Sequence, residues 1–307
     1  MVGFHGTEVP ESLQDLLDDD LVTGVILFSR NIESAEQVRQ LNKKLRRQRP
    51  DLLVAVDQEG GPVRRLKDGV PDTPAMRDIL TEAEAYEHGL ALGKALAALH
   101  FNMNLAPVLD VDTNVDNPVI GERSFSHDPQ RVAKLGVAYH KGLSDGGVLT
   151  CGKHFPGHGD TAADSHVTLP VVQHGLDRLR RVEIPPFKAA IAARMPALMT
   201  AHLLVPAIDP DAPATLSPII MSDILRAELG FEGVLISDDL EMKAIAERYS
   251  IDRAVALAIE AGVDMVLVCH DLASQRKALS TLRRTPISRL TRSLDRIEAM
   301  ARSLDAR

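Results

Sequence analysis

Residues 22–56 read VTGVILFSRNIESAEQVRQLNKKLRRQRPDLLVAV, and they contain the repeating unit that decides the fold. The stretch begins and ends with short apolar runs, VTGVILF and LLVAV. Between them, segment 34–48 has apolar residues at helical spacing, and Ser34 with Gln37 at its start matches a capping box. The pattern predicts a strand, an amphipathic helix and a second strand parallel to the first.

The same alternation continues along the rest of the chain. Its apolar runs are short and mostly uninterrupted, as expected of parallel strands that are buried on both faces. About eight strand–helix units are the number in a TIM barrel, so we predict one (β/α)8 domain over residues 1–307. A doubly wound open sheet would normally carry a G-x-G-x-x-G turn after an early strand, and none occurs there. The predicted strands are 2–4, 22–28, 52–56, 103–109, 147–151, 197–201, 233–236 and 264–269, of which the first is the weakest.

Start and stop signals delimit the predicted helices. Thr81 and Glu84 form a second capping-box pattern, and Asp128 followed by Pro129 is typical of an N-cap and a first turn. Gly230 predicts the end of a further helix. The helices expected between the strands are near 11–19, 34–48, 81–99, 128–146, 186–195, 217–230, 252–261 and 271–282, with a terminal helix after 288.

Composition excludes several classes of protein. Lys and Arg total 35 against 43 for Asp and Glu, giving a net charge of −8, so a nucleic-acid partner is not expected. Cys151 and Cys269 each lie in an apolar run and are expected to be reduced thiols, which fits a cytoplasmic protein. The start of the chain has no secretory-signal pattern, and no run approaches the ~18 apolar residues of a membrane span. The sequence does not indicate the oligomeric state.

Ionisable residues follow most of the predicted strands. In a (β/α)8 barrel the reacting groups project from the carboxyl ends of the strands. Turns usually end strands with Gly, Asn, Ser or Pro, so repeated ionisable residues at these positions predict a functional site. These residues are Asp57, Asp110, Asp112, Lys153, His154, His202, Asp238, Asp239 and His270.

The densest cluster of such residues is KHFPGHGDTAADSHVTLP, 153–170, which we interpret as a functional loop. His154 and His158 have the i, i+4 spacing of a zinc-binding helix, but Pro156 and the glycines around it exclude a helix here. A loop-built metal site therefore remains one alternative.

Proton transfer is the other interpretation of this loop. Asp164 and His166 are two residues apart, so both side chains point to the same side of an extended segment. The carboxylate would fix the imidazole tautomer and raise its pKa, which suits a group that gives a proton to a leaving oxygen and later takes one from water.

Four blocks of sequence resemble one known family. The loop 153–170 resembles the signature loop of glycoside hydrolase family three, specifically of its single-domain NagZ-type β-N-acetylhexosaminidases. VDQEGGPVRRL at 56–66, NMNLAPVLDVDTNVDNPVIGERSF at 102–125 and GFEGVLISDDLEM at 230–242 resemble further blocks of the family, in the family's order.

The resemblance implies a role for individual residues. Asp238 matches the catalytic nucleophile, whereas its neighbour Asp239 is interpreted as structural. Asp164 and His166 match a mobile-loop acid/base dyad, with Gly157 and Gly159 as candidate hinges. The residues that match a polar clamp for the terminal sugar are Asp57, Arg65, Arg123, Lys153 and His154, with His202 and Met242 beside the pocket.

One position departs from the family pattern. Pro62 stands where the family usually has an arginine in the EGG-Arg-Val block, so Arg64 or Arg65 would have to support the sugar-binding loop. The chain also has no Trp and only three Tyr. Few aromatic platforms for an extended glycan favour a small pocket for one terminal sugar, and hence an exo-acting enzyme.

The implied activity is that of a retaining exo-β-N-acetylglucosaminidase that needs no cofactor or metal ion. Its substrates would be small carbohydrates with a terminal β-linked GlcNAc, in particular the peptidoglycan turnover fragment GlcNAc-anhydro-N-acetylmuramic acid. A β-glucosidase or a β-GlcNAc phosphorylase on the same scaffold is the alternative, since a histidine acid/base tolerates an incoming phosphate better than a glutamate. A metal-dependent amidohydrolase and a non-catalytic sugar sensor are alternatives from other classes.

Overall fold

Parallel strands form the centre of the computed structural model, which describes residues 1–304. In this part of the chain, seven strands form one sheet in the order β1 to β7, and each strand is parallel to the next. Sequence order with parallel pairing is the arrangement that successive strand–helix units produce. The strands are β1 Gly24–Leu27, β2 Leu53–Val56, β3 Met103–Asn104, β4 Leu149–Phe155, β5 Ala197–Thr200, β6 Val234–Asp239 and β7 Met265–Leu267.

The first predicted strand closes the sheet into a barrel. Val2 forms parallel bridges to Val25 in β1 and to Val268 directly after β7. The Val2 amide donates to the carbonyl of Gly24 at 3.0 Å, and the Gly3 amide donates to the carbonyl of Val268 at 3.3 Å. Residues 2–4 therefore occupy the position of a very short eighth strand, and the predicted (β/α)8 barrel is confirmed.

Helices follow the strands around the outside of the barrel. Within the described residues, no helix is long and apolar enough to cross a membrane. The α-helices are α1 Glu11–Leu17, α2 Ala35–Gln48, α3 Glu82–Ala98, α4 Pro129–Asp145, α5 Leu176–Arg181, α6 Pro185–Ala192, α7 Lys243–Ala246, α8 Ile251–Ala261, α9 Leu272–Leu282 and α10 Ile287–Arg302.

The predicted caps are largely present. Thr81 Oγ1 accepts from the Glu84 amide and the Glu84 side chain accepts from the Thr81 amide, both at 3.2 Å, so this capping box is complete. Ser34 Oγ accepts from the Gln37 amide at 3.2 Å, but the Gln37 side chain accepts from the amide of Glu33 instead of Ser34. The first box is therefore only half formed, because Gln37 reaches one residue further back.

Four elements differ from their predicted form. Segment 217–230 is a π-helix, Ile219–Glu228, because helical periodicity does not distinguish i→i+4 from i→i+5 hydrogen bonds. The strand expected at 103–109 is much shorter, since Pro107 has no amide to donate to a ladder. β4 and β6 extend beyond their predicted ends, which places Lys153, His154 and Asp238 on strands. The short helices α5 and α7 were not predicted.

Glycines allow α3 and α4 to pack closely. A Cβ atom added at Gly142 in α4 would lie 2.1 Å from the carbonyl oxygen of Tyr86 and 2.7 Å from the amide nitrogen of Leu90, both in α3. Backbone atoms cannot rotate away as a side chain can, so the two helices would have to separate.

We therefore expect Gly142→Ala to lower the free energy of unfolding by about 1–3 kcal/mol, the usual cost of overpacking. Urea denaturation of wild type and variant measures this. Gly175→Ala is the matched control, because Gly175 has φ −78° and no described heavy atom within 4 Å of an added Cβ. Equal stability of the two variants would contradict the packing argument.

Candidate active site

A cavity of about 210 Å³ lies at the carboxyl ends of the strands. Side chains from β2, β4, β6 and the loops beyond them form its walls. Eight of the ten residues predicted for the site line this cavity: Asp57, Arg65, Arg123, Lys153, His154, His166, Asp238 and Met242. We call this space the sugar cavity below, after the ligand that the sequence predicts for it.

A buried ion cluster forms one wall of the sugar cavity. Lys153 Nζ lies 2.8 Å from Asp57 Oδ1 and 2.7 Å from Glu59 Oε1. Arg123 donates to both oxygens of Glu59 at 2.9 Å. Burial would raise the pKa of the Glu59 carboxyl, which is 1% exposed, but Arg123 and Lys153 hold it far below its usual range. Both cations therefore have fixed positions.

Glu59 was not among the predicted site residues. It follows Asp57 by two positions after β2, so in an extended segment both side chains face the same side. That spacing was available in the sequence and is the signal that would have found it.

The turn after β2 has a different support from the one expected. Gln58 is buried, its Oε1 accepts from the amides of Arg65 and Leu66 at 2.8 and 3.0 Å, and its Nε2 donates to the Leu66 carbonyl at 3.1 Å. Arg64 points to an exposed ion pair with Asp72. Gln58, and not an arginine near position 62, therefore holds this turn.

Arg65 faces the sugar cavity from the same turn. Its Nη2 lies 3.6 Å from Asp57 Oδ2, and its buried Nε has no hydrogen-bond partner among the described residues. A buried donor without a partner is costly, so this N–H group is an unsatisfied polar group within the wall of the cavity.

Asp238 projects from β6 into the sugar cavity. Its Oδ1 accepts from the Asp239 amide at 2.8 Å. Burial would raise the pKa of the Asp238 carboxyl, but the imidazoles of His202 and His154, together with that amide, lower the pKa below its ordinary value. Asp238 is therefore an ionised carboxylate at neutral pH.

His202 lies one layer behind the cavity wall. Its Nδ1 is 2.8 Å from Thr215 Oγ1, and its Nε2 is 3.0 Å from the carbonyl oxygen of Asp239. Because the ring is fully buried and both nitrogens are engaged by protein groups, His202 does not line the cavity. It supports β6 from behind and is not placed to contact a sugar.

Asp110 connects β4 to the loop that follows it. The carboxylate is fully buried; its Oδ2 lies 2.7 Å from His154 Nδ1, and its Oδ1 accepts from the His158 amide at 2.6 Å. Burial would raise the pKa of Asp110, but His154 and His158 lower it. The ring of His154 is thus oriented toward the cavity, and the start of the loop is fixed.

The loop carries the predicted dyad. His166 Nδ1 and the His166 amide both lie 2.8 Å from Asp164 Oδ1, which leaves Nε2 free. Burial would raise the pKa of Asp164, but the two hydrogen bonds from His166 lower it. The His166 side chain is 66% exposed, in contrast to the buried side chains of β4.

Contacts before the dyad and between its two residues hold the loop. His158 Nδ1 lies 2.8 Å from Thr161 Oγ1 and its Nε2 lies 3.2 Å from Ser165 Oγ, while the Ala244 amide donates to the Ser165 carbonyl at 3.3 Å. At the candidate hinge Gly159, an added Cβ would lie 1.9 Å from the carbonyl oxygen of Val111. Close packing already explains this glycine, and its role as a hinge stays a prediction.

The opposite wall includes His270, which was expected at the site only as a residue that follows a strand, and two residues that were not expected there. His270 follows β7 and lines the cavity, with its Nε2 3.2 Å from Asp239 Oδ2, and this bond raises its pKa. The guanidinium carbon of Arg30 lies 4.3 Å from the ring centre of Phe28, another lining residue. Asp239 thus contacts His270 and also borders the cavity, and its structural role stays a prediction.

The loop 153–170 was also considered as a possible metal site, and its geometry tests that alternative. A loop-built metal site would bring at least three His, Cys, Asp or Glu side chains together. Among residues 1–304, no group of three or more such side chains is arranged to hold a metal ion. His154 and His158 are engaged instead by Asp110 and by the hydroxyls of the loop.

These groups define a class of enzyme. An ionised carboxylate and a carboxylate-bonded imidazole that face one polar cavity at the end of a (β/α)8 barrel can supply a nucleophile and a proton-transfer group. Residues 2–301 match the Glycosyl hydrolase family 3 N terminal domain, and the chain belongs to this family. The predicted family and the predicted class, a glycoside hydrolase, are confirmed.

Individual relatives cover nearly the whole chain. A protein named Beta-hexosaminidase from Pseudomonas aeruginosa is 42% identical over 299 residues, which cover 95% of this chain and 89% of the relative. A family 3 β-N-acetylglucosaminidase structure from Paenibacillus sp. FPU-7 has a TM-score of 0.96 and 41% identity over 99% of this chain, which spans only 61% of that protein. NagZ from Neisseria gonorrhoeae, solved with N-trifluoroacetyl-D-glucosamine, has a TM-score of 0.88 and 33% identity over 100% of this chain and 92% of that protein.

The buried imidazole of His158 predicts a pH dependence of stability. Burial, followed by the nearby imidazole of His154, lowers its pKa from 6.5 to about 4. Below pH 6.5 the imidazole binds a proton in the unfolded chain, whereas in the folded chain it stays neutral down to about pH 4. The free energy of unfolding therefore decreases as the pH is lowered from 6.5 to about 4. We expect wild type to lose about 3 kcal/mol more than His158→Gln between these two pH values.

Urea denaturation of both proteins at a series of pH values measures this difference. Glutamine keeps hydrogen-bonding groups near Thr161 and Ser165, so the comparison isolates the titration. Parallel pH curves for the two proteins would show that His158 does not titrate in this range.

Proposed function

We propose that this chain is a retaining exo-β-N-acetylglucosaminidase that removes a terminal β-linked GlcNAc from small carbohydrates. The observation that carries the proposal is that the ionised Asp238 and the Asp164-bonded His166 border the same small cavity. The names of the relatives support it, since they are β-hexosaminidases and β-N-acetylglucosaminidases, and one was solved with a glucosamine derivative.

In the first step, the Asp238 carboxylate attacks C1 of the terminal sugar while the bond from C1 to the leaving oxygen breaks. His166 Nε2–H gives its proton to that oxygen, because Nδ1 is occupied by Asp164. The products of this step are the released alcohol and a glycosyl ester of Asp238.

In the second step, neutral His166 removes a proton from water through Nε2. The water oxygen attacks C1, and the Asp238 carboxylate leaves, so two inversions give net retention. The negative charge of Asp164 stabilises the imidazolium that is present before the first step and after the second.

The cavity size and its polar wall fit one sugar. About 210 Å³ is less than the ~300–1,000 Å³ of pockets for drug-sized ligands. Asp57 can accept from a sugar hydroxyl, while Lys153 and Arg65 can donate to sugar oxygens. A site that encloses one sugar acts at the end of a glycan, which is the exo mode.

The proposal also includes a source of substrate and a cellular compartment. Peptidoglycan turnover fragments with a terminal GlcNAc are the source of substrate that the sequence resemblance implies. The cytoplasm is the proposed compartment, because Cys151 and Cys269 are free, buried thiols.

The direct experiment is incubation with 4-nitrophenyl β-GlcNAc, with 4-nitrophenyl β-glucoside as the control sugar. We expect release of nitrophenol from the GlcNAc derivative without added phosphate. Failure to release it would remove the proposal, faster cleavage of the glucoside would select a β-glucosidase, and strict dependence on phosphate would select a phosphorylase.

For the nucleophile, we expect Asp238→Ala to lower kcat by about 10³-fold or more, since no other described carboxylate is proposed to attack C1. A fluorinated sugar that is modified at position 2 and traps the glycosyl ester should label Asp238 in the wild-type protein. Peptide mass spectrometry identifies the labelled residue. Asp116→Ala, an exposed carboxylate outside the cavity, is the control and should keep full activity. Label on another carboxylate would overturn the assignment.

For the acid, we expect His166→Ala to affect substrates according to their leaving group. An alkyl or sugar leaving group needs the proton, so its kcat/KM should fall by about 10²–10⁴-fold. An activated dinitrophenyl leaving group needs no proton in the first step. The rate at which its glycoside forms the glycosyl ester on Asp238 should therefore change less than about tenfold. Equal losses for both substrates would argue against an acid role.

A further inference from the structure

Segment 162–169 carries the dyad and is bonded to the rest of the protein at few points. Its two ends are fixed, because the carbonyls of Thr161 before it and of Pro170 after it accept hydrogen bonds from neighbouring loops at 3.1 and 2.8 Å. Between these ends, among residues 1–304, the hydrogen bonds that leave the segment are all made by Ser165. Ser165 is therefore the point at which the middle of the segment is attached to the barrel.

Hydrogen bonds inside the segment make the dyad a compact turn. The carbonyl of Asp164 accepts from the amides of Val167 and Thr168, both at 3.0 Å. The carboxylate of Asp164 accepts from the amide of His166 and is bonded to its ring. These bonds keep the shape of the turn wherever the loop lies. They do not determine the distance from the imidazole to Asp238.

Ser165 is the buried residue of this turn. It borders the sugar cavity from within the protein, whereas the side chains of Asp164 and His166 are 36% and 66% exposed. A buried hydroxyl is costly unless a hydrogen bond compensates it. The side of the turn that faces the protein thus has one polar side chain that needs a partner.

The two contacts of Ser165 reach different parts of the site. Its Oγ lies 3.2 Å from His158 Nε2, and the amide of His158 is bonded to the buried carboxylate of Asp110. Its carbonyl accepts from the amide of Ala244 at 3.3 Å, and Ala244 lies in α7, the helix after β6. One residue is thereby bonded both to the base of the loop and to the segment beyond the strand that carries Asp238.

The ring of His158 is suited to this contact. Burial lowers its pKa to about 4, so at neutral pH the ring is uncharged and has one N–H group and one acceptor nitrogen. Hydroxyl groups donate or accept, so Ser165 Oγ and Thr161 Oγ1 can each complete a hydrogen bond with it. Movement of the turn would take the protein partner from the buried Nε2, which costs free energy.

We propose that Ser165 is a positioning residue which holds His166 at the leaving oxygen of the substrate. The proposal rests on the proposed function, because it takes His166 as the acid and Asp238 as the nucleophile. A proton donor acts only within hydrogen-bond reach of the oxygen, so a turn that leaves its position part of the time donates less often. The Ser165 hydroxyl acts through His166, since it is already bonded to His158.

The test compares two leaving groups on the same terminal sugar. GlcNAc-β-1,4-GlcNAc needs a proton on its leaving oxygen, whereas 2,4-dinitrophenyl β-GlcNAc does not. In Ser165→Ala we expect kcat/KM for the disaccharide to fall about three- to tenfold, the size expected from one hydrogen bond. We expect kcat/KM for the dinitrophenyl glycoside to fall by less than about twofold, because its first step needs no acid.

Thr168→Ala is the matched control. Its hydroxyl lies in the same turn, but it is exposed and forms no hydrogen bond with a described residue. Both kcat/KM values should keep their wild-type size in this variant. A loss equal to that of Ser165→Ala would show that any removed hydroxyl in the turn has the same effect, and would overturn the proposal.

A second variant tests the partner of Ser165. His158→Leu removes the ring but keeps the amide that is bonded to Asp110. The ratio of the two kcat/KM values cancels effects on the terminal sugar, which both substrates share. We expect His158→Leu to lower the disaccharide-to-glycoside ratio about three- to tenfold. Adding Ser165→Ala should then lower it by less than about twofold more, because both changes remove one and the same bond.

The outcomes separate this proposal from the function on which it rests. Equal losses for the two substrates in Ser165→Ala would indicate a direct contact with the sugar or a general structural role, and would overturn the proposal while hydrolysis stands. No loss for either substrate would also overturn it, as would losses that multiply in the double variant. Ser165→Ala alone decides the proposal if His158→Leu does not fold. If the wild-type protein cleaves neither substrate, the proposed function falls and this proposal with it.

Discussion

Glu59 between Lys153 and Arg123 is the interaction on which the rest of the site depends. A carboxylate that is almost fully buried is costly unless cations compensate it, and removal of either cation would leave an unpaired buried charge. The three side chains come from the end of β2, from β4 and from the loop after β3. One ion cluster therefore fixes the relative positions of three walls, and Asp57 and Arg65 are arranged around it.

The two groups proposed to react have contrasting supports. Asp238 stands on a strand, receives the Asp239 amide, and has the buried ring of His202 behind it. His166 stands on an exposed loop and depends on Asp164 for its tautomer. A nucleophile needs a fixed approach to C1, whereas an acid that later serves as a base must exchange protons with water. The division between strand and loop fits these two requirements.

Sequence patterns predicted the barrel and most of the cavity, because parallel strands gather their carboxyl ends at one face and the apolar runs locate those ends. Glu59 was missed because only Asp57 was assigned at the end of β2, although Glu59 lies two residues later and on the same side of an extended segment. His202 was expected beside the pocket and lies in the layer behind its lining, which a one-dimensional pattern cannot tell from the lining itself. The π-helix Ile219–Glu228 has the same apolar spacing as an α-helix over few turns.

Gln58 has a consequence for how such an enzyme can diverge. The side-chain amide carries the turn after β2 through three hydrogen bonds, so the backbone there keeps its shape regardless of the residue at its tip. Position 62 therefore does not have to hold the turn, and it borders a second space beside the sugar cavity. A substitution at this one site can then alter the edge of that space while the backbone of the turn, and the polar residues on either side of it, keep their positions.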